Sequence, residues 1–126
     1  LSADVTNAFD PNFPETCDRR NNSMVNYGIA ICKYTGARGK AGASDADAET
    51  VAYVRRLFDD AGVIWQTGEL GKVDAGGGGT VAKFIAAMNI DTVDIGVAVA
   101  SMHAPYEVVS KADVYEVYLA FRAFLK

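Results

Sequence analysis

The chain has 126 residues, half of them hydrophobic and 22% charged, which fits one domain with a real core and excludes wholesale disorder. Its formal net charge of −4 argues against nucleic acid as the main partner, because phosphate binding needs a cationic surface. No apolar run approaches the roughly 20 residues of a membrane-spanning helix, and no basic segment precedes an apolar block, so neither a membrane partner nor a signal peptide is expected.

Residues 1–5 read as a short strand ending in a carboxylate, Asp4. The chain opens inside this strand and without Met, which points to a piece of a longer protein. Residues 7–26 are rich in Asn, Asp, Pro and Arg and read as a long loop, with Pro11 and Pro14 excluding regular structure. A loop of that length is usually functional or mobile. Arg19, Arg20, Lys33, Arg38 and Lys40 gather against the single acid Asp18, either as a solvated face or as a contact for an acidic neighbour. Residues 27–34 are rich in β-formers on both faces and predict a strand buried on both sides, with Lys33 near its end. Cys17 and Cys32 are too few for a disulfide framework, and reduced thiols in a cytoplasmic protein are expected.

A Gly-rich connection over residues 36–43 leads to a helix start with Ser44 as the expected cap and acids in the first turn. Val51, Val54, Phe58 and Ala61 recur at helical spacing, with Leu57 beside them, and Gly62 supplies the stop. Residues 63–67 predict the next strand. A second glycine-rich stretch, including Gly76, Gly77, Gly78 and Gly79, precedes a helix over residues 80–88 with Val81, Phe84, Ile85 and Met88 on one face. Residues 92–100 form one apolar strand, too hydrophobic for a solvent-facing surface. Ser110 to Asp113 resembles a capping box, with Asp in place of Glu. Val114, Val117, Tyr118, Phe121, Phe124 and Leu125 then make a helix face. Strands alternating with helices define an α/β fold: a layered, at least partly parallel sheet flanked by helices, in one domain.

His103 is the only histidine, delivered by Ser101-Met102-His103 at a strand end. An imidazole there is either a metal ligand, a catalytic base or a structural hydrogen bonder. Together with Asp4 it cannot complete a catalytic zinc site, which usually needs three protein ligands. Ser101 stands too close along the chain to establish a nucleophile–base geometry, and neither cysteine has a motif that pairs it with His103. The glycine run could hold a phosphate or nucleotide at a helix start, but it lacks the dinucleotide spacing and the Lys-Ser/Thr of a phosphate loop. A tight helix–strand junction explains it equally well.

Five motifs occur in order: Ser2-Ala3-Asp4, Asp10-Pro11-Asn12, Gly77-Gly78-Gly79-Thr80, Val93-Asp94-Ile95-Gly96 and Ser101-Met102-His103 followed by Glu107. This series closely resembles the C-terminal portion of the M18 family of metalloaminopeptidases, over essentially the whole chain. Residues 39–44 and 65–71 look like a bacterial branch of the family. The aspartyl branch has His where Asn7 and Asp10 stand, so a preference for acidic N-terminal residues is not carried over.

The resemblance implies that residues 1–126 are the C-terminal portion of a single catalytic domain of the zinc-peptidase, phosphorylase/hydrolase-like kind. It implies a site of two divalent ions, zinc in type, that removes N-terminal residues from peptides, with Asp4 and His103 each ligating a metal. A His, a bridging Asp, a Glu and a general-base Glu would come from preceding sequence, leaving the isolated chain inactive. Gly77, Gly78, Gly79 and Thr80 would line the substrate cleft, and Lys33 matches a lysine near the substrate pocket. Homo-oligomers are typical of the family. A phosphate-binding α/β module and a non-catalytic assembly segment are the competing readings.

Overall fold

The computed structural model describes residues 1–33, 44–72, 75 and 80–126. Four strands form a mixed sheet in the order β1, β5, β3, β4: Ser2–Ala3, Asp94–Gly96, Ile29–Cys32 and Trp65–Thr67. β3 runs parallel to β4 and antiparallel to β5, while β1 is parallel to β5. A second sheet joins β2 (Thr6–Asn7), β6 (Ala98–Ala100) and β7 (Val108–Val109). The expected α/β architecture with partly parallel strands is therefore present.

The central strand β3 is buried along its whole length, as its apolar residues on both faces require. Ile29 and Ile31 join Ile95, Val93, Val63, Val54, Phe58 and Ala120 in the main core. That core lies between the sheet and two helices, α1 (Ala48–Ala61) and α3 (Lys111–Phe124). Burying Phe58 and each of these isoleucines contributes about 2–3 kcal/mol. On the other face, Gln66 of β4 donates to the carbonyls of Met24 and Gly28 and accepts from Met24 N–H at 2.8 Å. The segment before β3 is thereby strapped to the sheet.

Helix α1 begins three residues later than its sequence predicts. Asp47, and not Ser44, is the cap: its carboxylate accepts from the N–H and the hydroxyl of Thr50. Those two donors hold the Asp47 carboxyl below the ordinary aspartate value. Ala46 N–H instead bonds Lys33 O at 2.8 Å, which keeps the chain before Asp47 extended. Gly62 ends the helix in the left-handed region at φ 69, as expected.

Further expectations are corrected. Residues 7–26 are not structureless: Asn7 belongs to β2, Ala8 bridges Ser23, and Pro14 opens a 3₁₀ turn over Pro14–Thr16. Pro is at home there because a first-turn N–H has no partner to lose. The apolar run 92–100 is divided into β5 and β6, because its antiparallel partner changes from β3 to β7. Helix α2 covers only Ala82–Ala86, and Val81, Phe84 and Met88 are exposed while Ala82 is fully buried. On α3, likewise, Ala120 is buried while Val114, Tyr118 and Leu125 are exposed.

Ser110 caps α3 as expected, accepting from Asp113 N–H at 3.3 Å, and its hydroxyl donates to Asn26. Asp113 does not close a capping box. Its buried carboxylate reaches across the fold and accepts from Asn26 N–H and Gly28 N–H at 2.8 and 2.9 Å. It ties α3 to the turn that launches β3. Asp113→Ala leaves both amides without their acceptor and lowers stability by about 3 kcal/mol in urea unfolding, with Asp113→Asn costing less because one carbonyl oxygen still accepts.

Candidate functional site

The site grows from one parallel ladder. The N–H groups of Ser2, Asp4, Thr6 and Ala8 donate in turn to the carbonyls of Val93, Ile95, Val97 and Val99 at 2.8–3.0 Å. The register stays constant from β1–β5 into β2–β6, so the ladder passes unbroken from one sheet to the other. Asp4 falls between β1 and β2, exposed, alongside Gly96. A Cβ on residue 96 would meet the Asp4 carbonyl oxygen at 1.5 Å and the Val5 Cα at 3.2 Å. Only glycine lets the Asp4 backbone cross so closely.

Residues paired across a ladder share a face. Cys32, Asp94 and Ser2 therefore lie together, opposite the face that carries Ile31 and Ile95. Asp94 is buried at 4% exposure inside an apolar strand. One of its oxygens accepts from the Thr80 hydroxyl, and the other, Oδ1, has no hydrogen-bond partner among the described residues. Cys32 sits beside it, its pKa pushed up to about 12 by burial, with the nearby Thr6 hydroxyl opposing the rise and the charges of Glu69, Asp94 and Asp4 adding to it. This thiol is no nucleophile at neutral pH.

Lys33 follows the end of β3, half-exposed, and pairs with Asp45. Thr80 is fastened by Asp94 at the end where β3 finishes and β5 begins. Gly77, Gly78 and Gly79, like the Gly-rich residues 36–43, lie outside the described residues.

His103 sits in the connection between β6 and β7, where it is exposed. Ser101 and His103 both adopt left-handed backbone, at φ 60 and 68. Such geometry costs a residue with a Cβ about 1–2 kcal/mol. The Glu107 carboxylate accepts from the His103 backbone N–H at 2.5 Å.

The donor chemistry fits zinc. Asp4 Oδ1 accepts from Val5 N–H, and its carboxylate is an oxygen donor of the kind zinc takes. His103 adds an exposed imidazole. Among the described residues no group of three or more His, Cys, Asp or Glu side chains could hold a metal ion, so these two are at most part of a centre. Sequence reasoning gave no role to Asp94, although a carboxylate inside the apolar run 93–100 was the available signal.

The mixed sheet sets the Asp4 carboxylate at a strand crossing and the His103 imidazole just past the end of β6. The profile of the family described as "Aminopeptidase I zinc metalloprotease (M18)" matches residues 1–125. The chain belongs to this M18 family. It is 53% identical to a probable M18 family aminopeptidase 1 of Borreliella afzelii, covering all of this chain and 28% of that protein. It superimposes on the crystal structure of aminopeptidase I from Clostridium acetobutylicum with a TM-score of 0.94 and 50% identity, again over 100% of this chain and 28% of the other. A more distant likeness is the mApe1 dodecamer of S. cerevisiae, at 25% identity and TM-score 0.76, covering 99% of this chain and 26% of that one. The chain thus spans little more than a quarter of the length of its relatives.

Gly96→Ala forces the two strands apart, and the Asp4 and Thr6 amides, protected in the native ladder, then exchange rapidly with deuterium. At pH 8 the native chain leaves Cys32 unmodified by a thiol-specific disulfide reagent, whereas the unfolded chain reacts at both cysteines.

Proposed function

We propose that the whole protein is a zinc aminopeptidase that removes N-terminal residues from peptides, and that this chain is the C-terminal portion of its single catalytic domain. The observation that carries this is the pairing of a family match over residues 1–125 with an Asp4 held at the Gly96 crossing. Asp4 and His103 would each ligate one of two divalent ions, with the remaining ligands supplied by residues outside this chain. Bound zinc supplies Lewis-acid polarisation of the scissile carbonyl and an activated water.

The residues of this chain bind and orient. Asp4 contributes negative charge and His103 a neutral imidazole, so the pair adds affinity without cancelling the charge of the cation. Asp94 pins Thr80, and Gly77, Gly78 and Gly79 would line the cleft through their backbone. Lys33, half-exposed at the end of β3, would meet the substrate beyond that cleft. The short α2, of five residues, favours the metal reading over the phosphate alternative, because it sums few aligned peptide dipoles. No described helix is long and apolar enough to cross a membrane. The free thiols of Cys17 and Cys32 support a cytoplasmic setting. The yeast dodecamer supports a homo-oligomeric assembly of the whole protein.

The full-length protein should bind two zinc ions per chain and hydrolyse aminoacyl-nitroanilides, while the isolated chain does neither. Asp4→Ala and His103→Ala in the full-length protein should each lower kcat/KM by about 10³-fold, the several kcal/mol that a metal ligand controls. Tight two-zinc binding by the isolated chain, or wild-type turnover in either variant, would defeat the proposal.

A further inference from the structure

The pairing of Ala100 with Val108 closes a hairpin whose connection is residues 101–107. Ser101 is its first residue, Glu107 its last, and His103 lies between. Nearly all of this connection is exposed: Met102 is half-buried, and no core packing holds the rest. Yet its backbone is sharply constrained. Four non-glycine residues take positive φ among the described residues, Asn26, Asn89, Ser101 and His103, and two of the four fall in this one connection. Residues with a Cβ persist in that region only where their surroundings fix them.

Two hydrogen bonds do so here. Ala104 N–H returns to Ser101 O at 3.0 Å, and the Glu107 carboxylate folds back across the connection to accept from His103 N–H. Glu107 is itself fixed, because β7 starts at the next residue and is paired with β6. We infer that Glu107 is a positioning residue for His103: its carboxylate clamps the strained hairpin connection and so sets where the imidazole points. This rests on the reading of His103 as a zinc ligand and adds the element that orients it. Glu107 acts through the backbone and needs only an accepting oxygen.

The test uses the full-length protein, with zinc affinity measured by competition against a chromophoric chelator. Glu107→Ala should weaken the affinity roughly 10- to 100-fold, as loss of an outer support for a metal-ligating histidine does. Glu107→Gln keeps an accepting oxygen and should stay within about threefold of wild type. The melting temperature of the metal-free variants should stay within about 3 °C of wild type, since Glu107 is exposed. Wild-type affinity in Glu107→Ala would overturn the inference, as would a Glu107→Gln loss equal to that of Glu107→Ala, which would make Glu107 a ligand or a charge. A melting temperature that falls with the affinity would make its role structural and overturn it too. His103→Ala is measured alongside: if it loses zinc while Glu107→Ala does not, only the clamp fails, and if it keeps zinc, the metal reading itself fails.

Discussion

The close crossing of the Asp4 backbone over Gly96 is the constraint on which the arrangement turns. A parallel ladder needs its two strands about 5 Å apart with side chains standing off both faces. Here the Asp4 carbonyl occupies the place where a Cβ of residue 96 would stand. The missing side chain lets the ladder run on from Ser2 to Ala8 while the strands pass from one sheet to the other. Asp4 is set at that passage. The same pair of strands, carried on through β6, delivers the connection that holds His103. Local backbone contact and candidate ligand placement are thus one feature.

The two faces of the four-stranded sheet divide the labour. One carries Ile31 and Ile95 beneath α1 and α3, and its stability is that of an ordinary apolar core. The other carries Cys32, Asp94 and Gln66, small or polar groups of which Asp94 and Gln66 bond to loops instead of helices. A buried carboxylate with one oxygen unpartnered among the described residues is costly. Its cost is offset in part by the Thr80 bond, which fixes the residue that follows the glycine run. The exposed apolar residues of α2 and α3 belong to the same division. The helix-bearing face is filled by α1 and by the Ala120 side of α3, so Phe84, Met88, Tyr118 and Leu125 are left outward.

Much of this was legible from residue order. The strand over 29–32, the 14-residue α1 with its glycine stop, and the serine cap of α3 follow from periodicity and terminus chemistry, which are local. The misplacement of the α1 cap has a non-local cause: Ala46 bonds the Lys33 carbonyl, a partner that no window around Ser44 contains. The split of residues 92–100 into β5 and β6 is of the same kind, because it follows from a change of neighbouring strand. Asp113 shows the limit most sharply. Its spacing from Ser110 reads as a local cap, and its carboxylate goes to amides more than 80 residues away in sequence.

For the site, the sequence alone named Asp4, His103, Lys33 and Thr80 and the family they resemble, since motif order and residue type are properties of the chain. It could not say that Gly96 is the reason Asp4 stands where it does, that Asp94 holds Thr80, or that Glu107 folds back onto His103. Those are contacts between segments brought together by strand pairing. Sequence determined which groups are present and which local structures they favour. Only the tertiary structure decided which group meets which, because register, strand order and the face a residue takes are set by pairing across the fold and not by its neighbours in the chain.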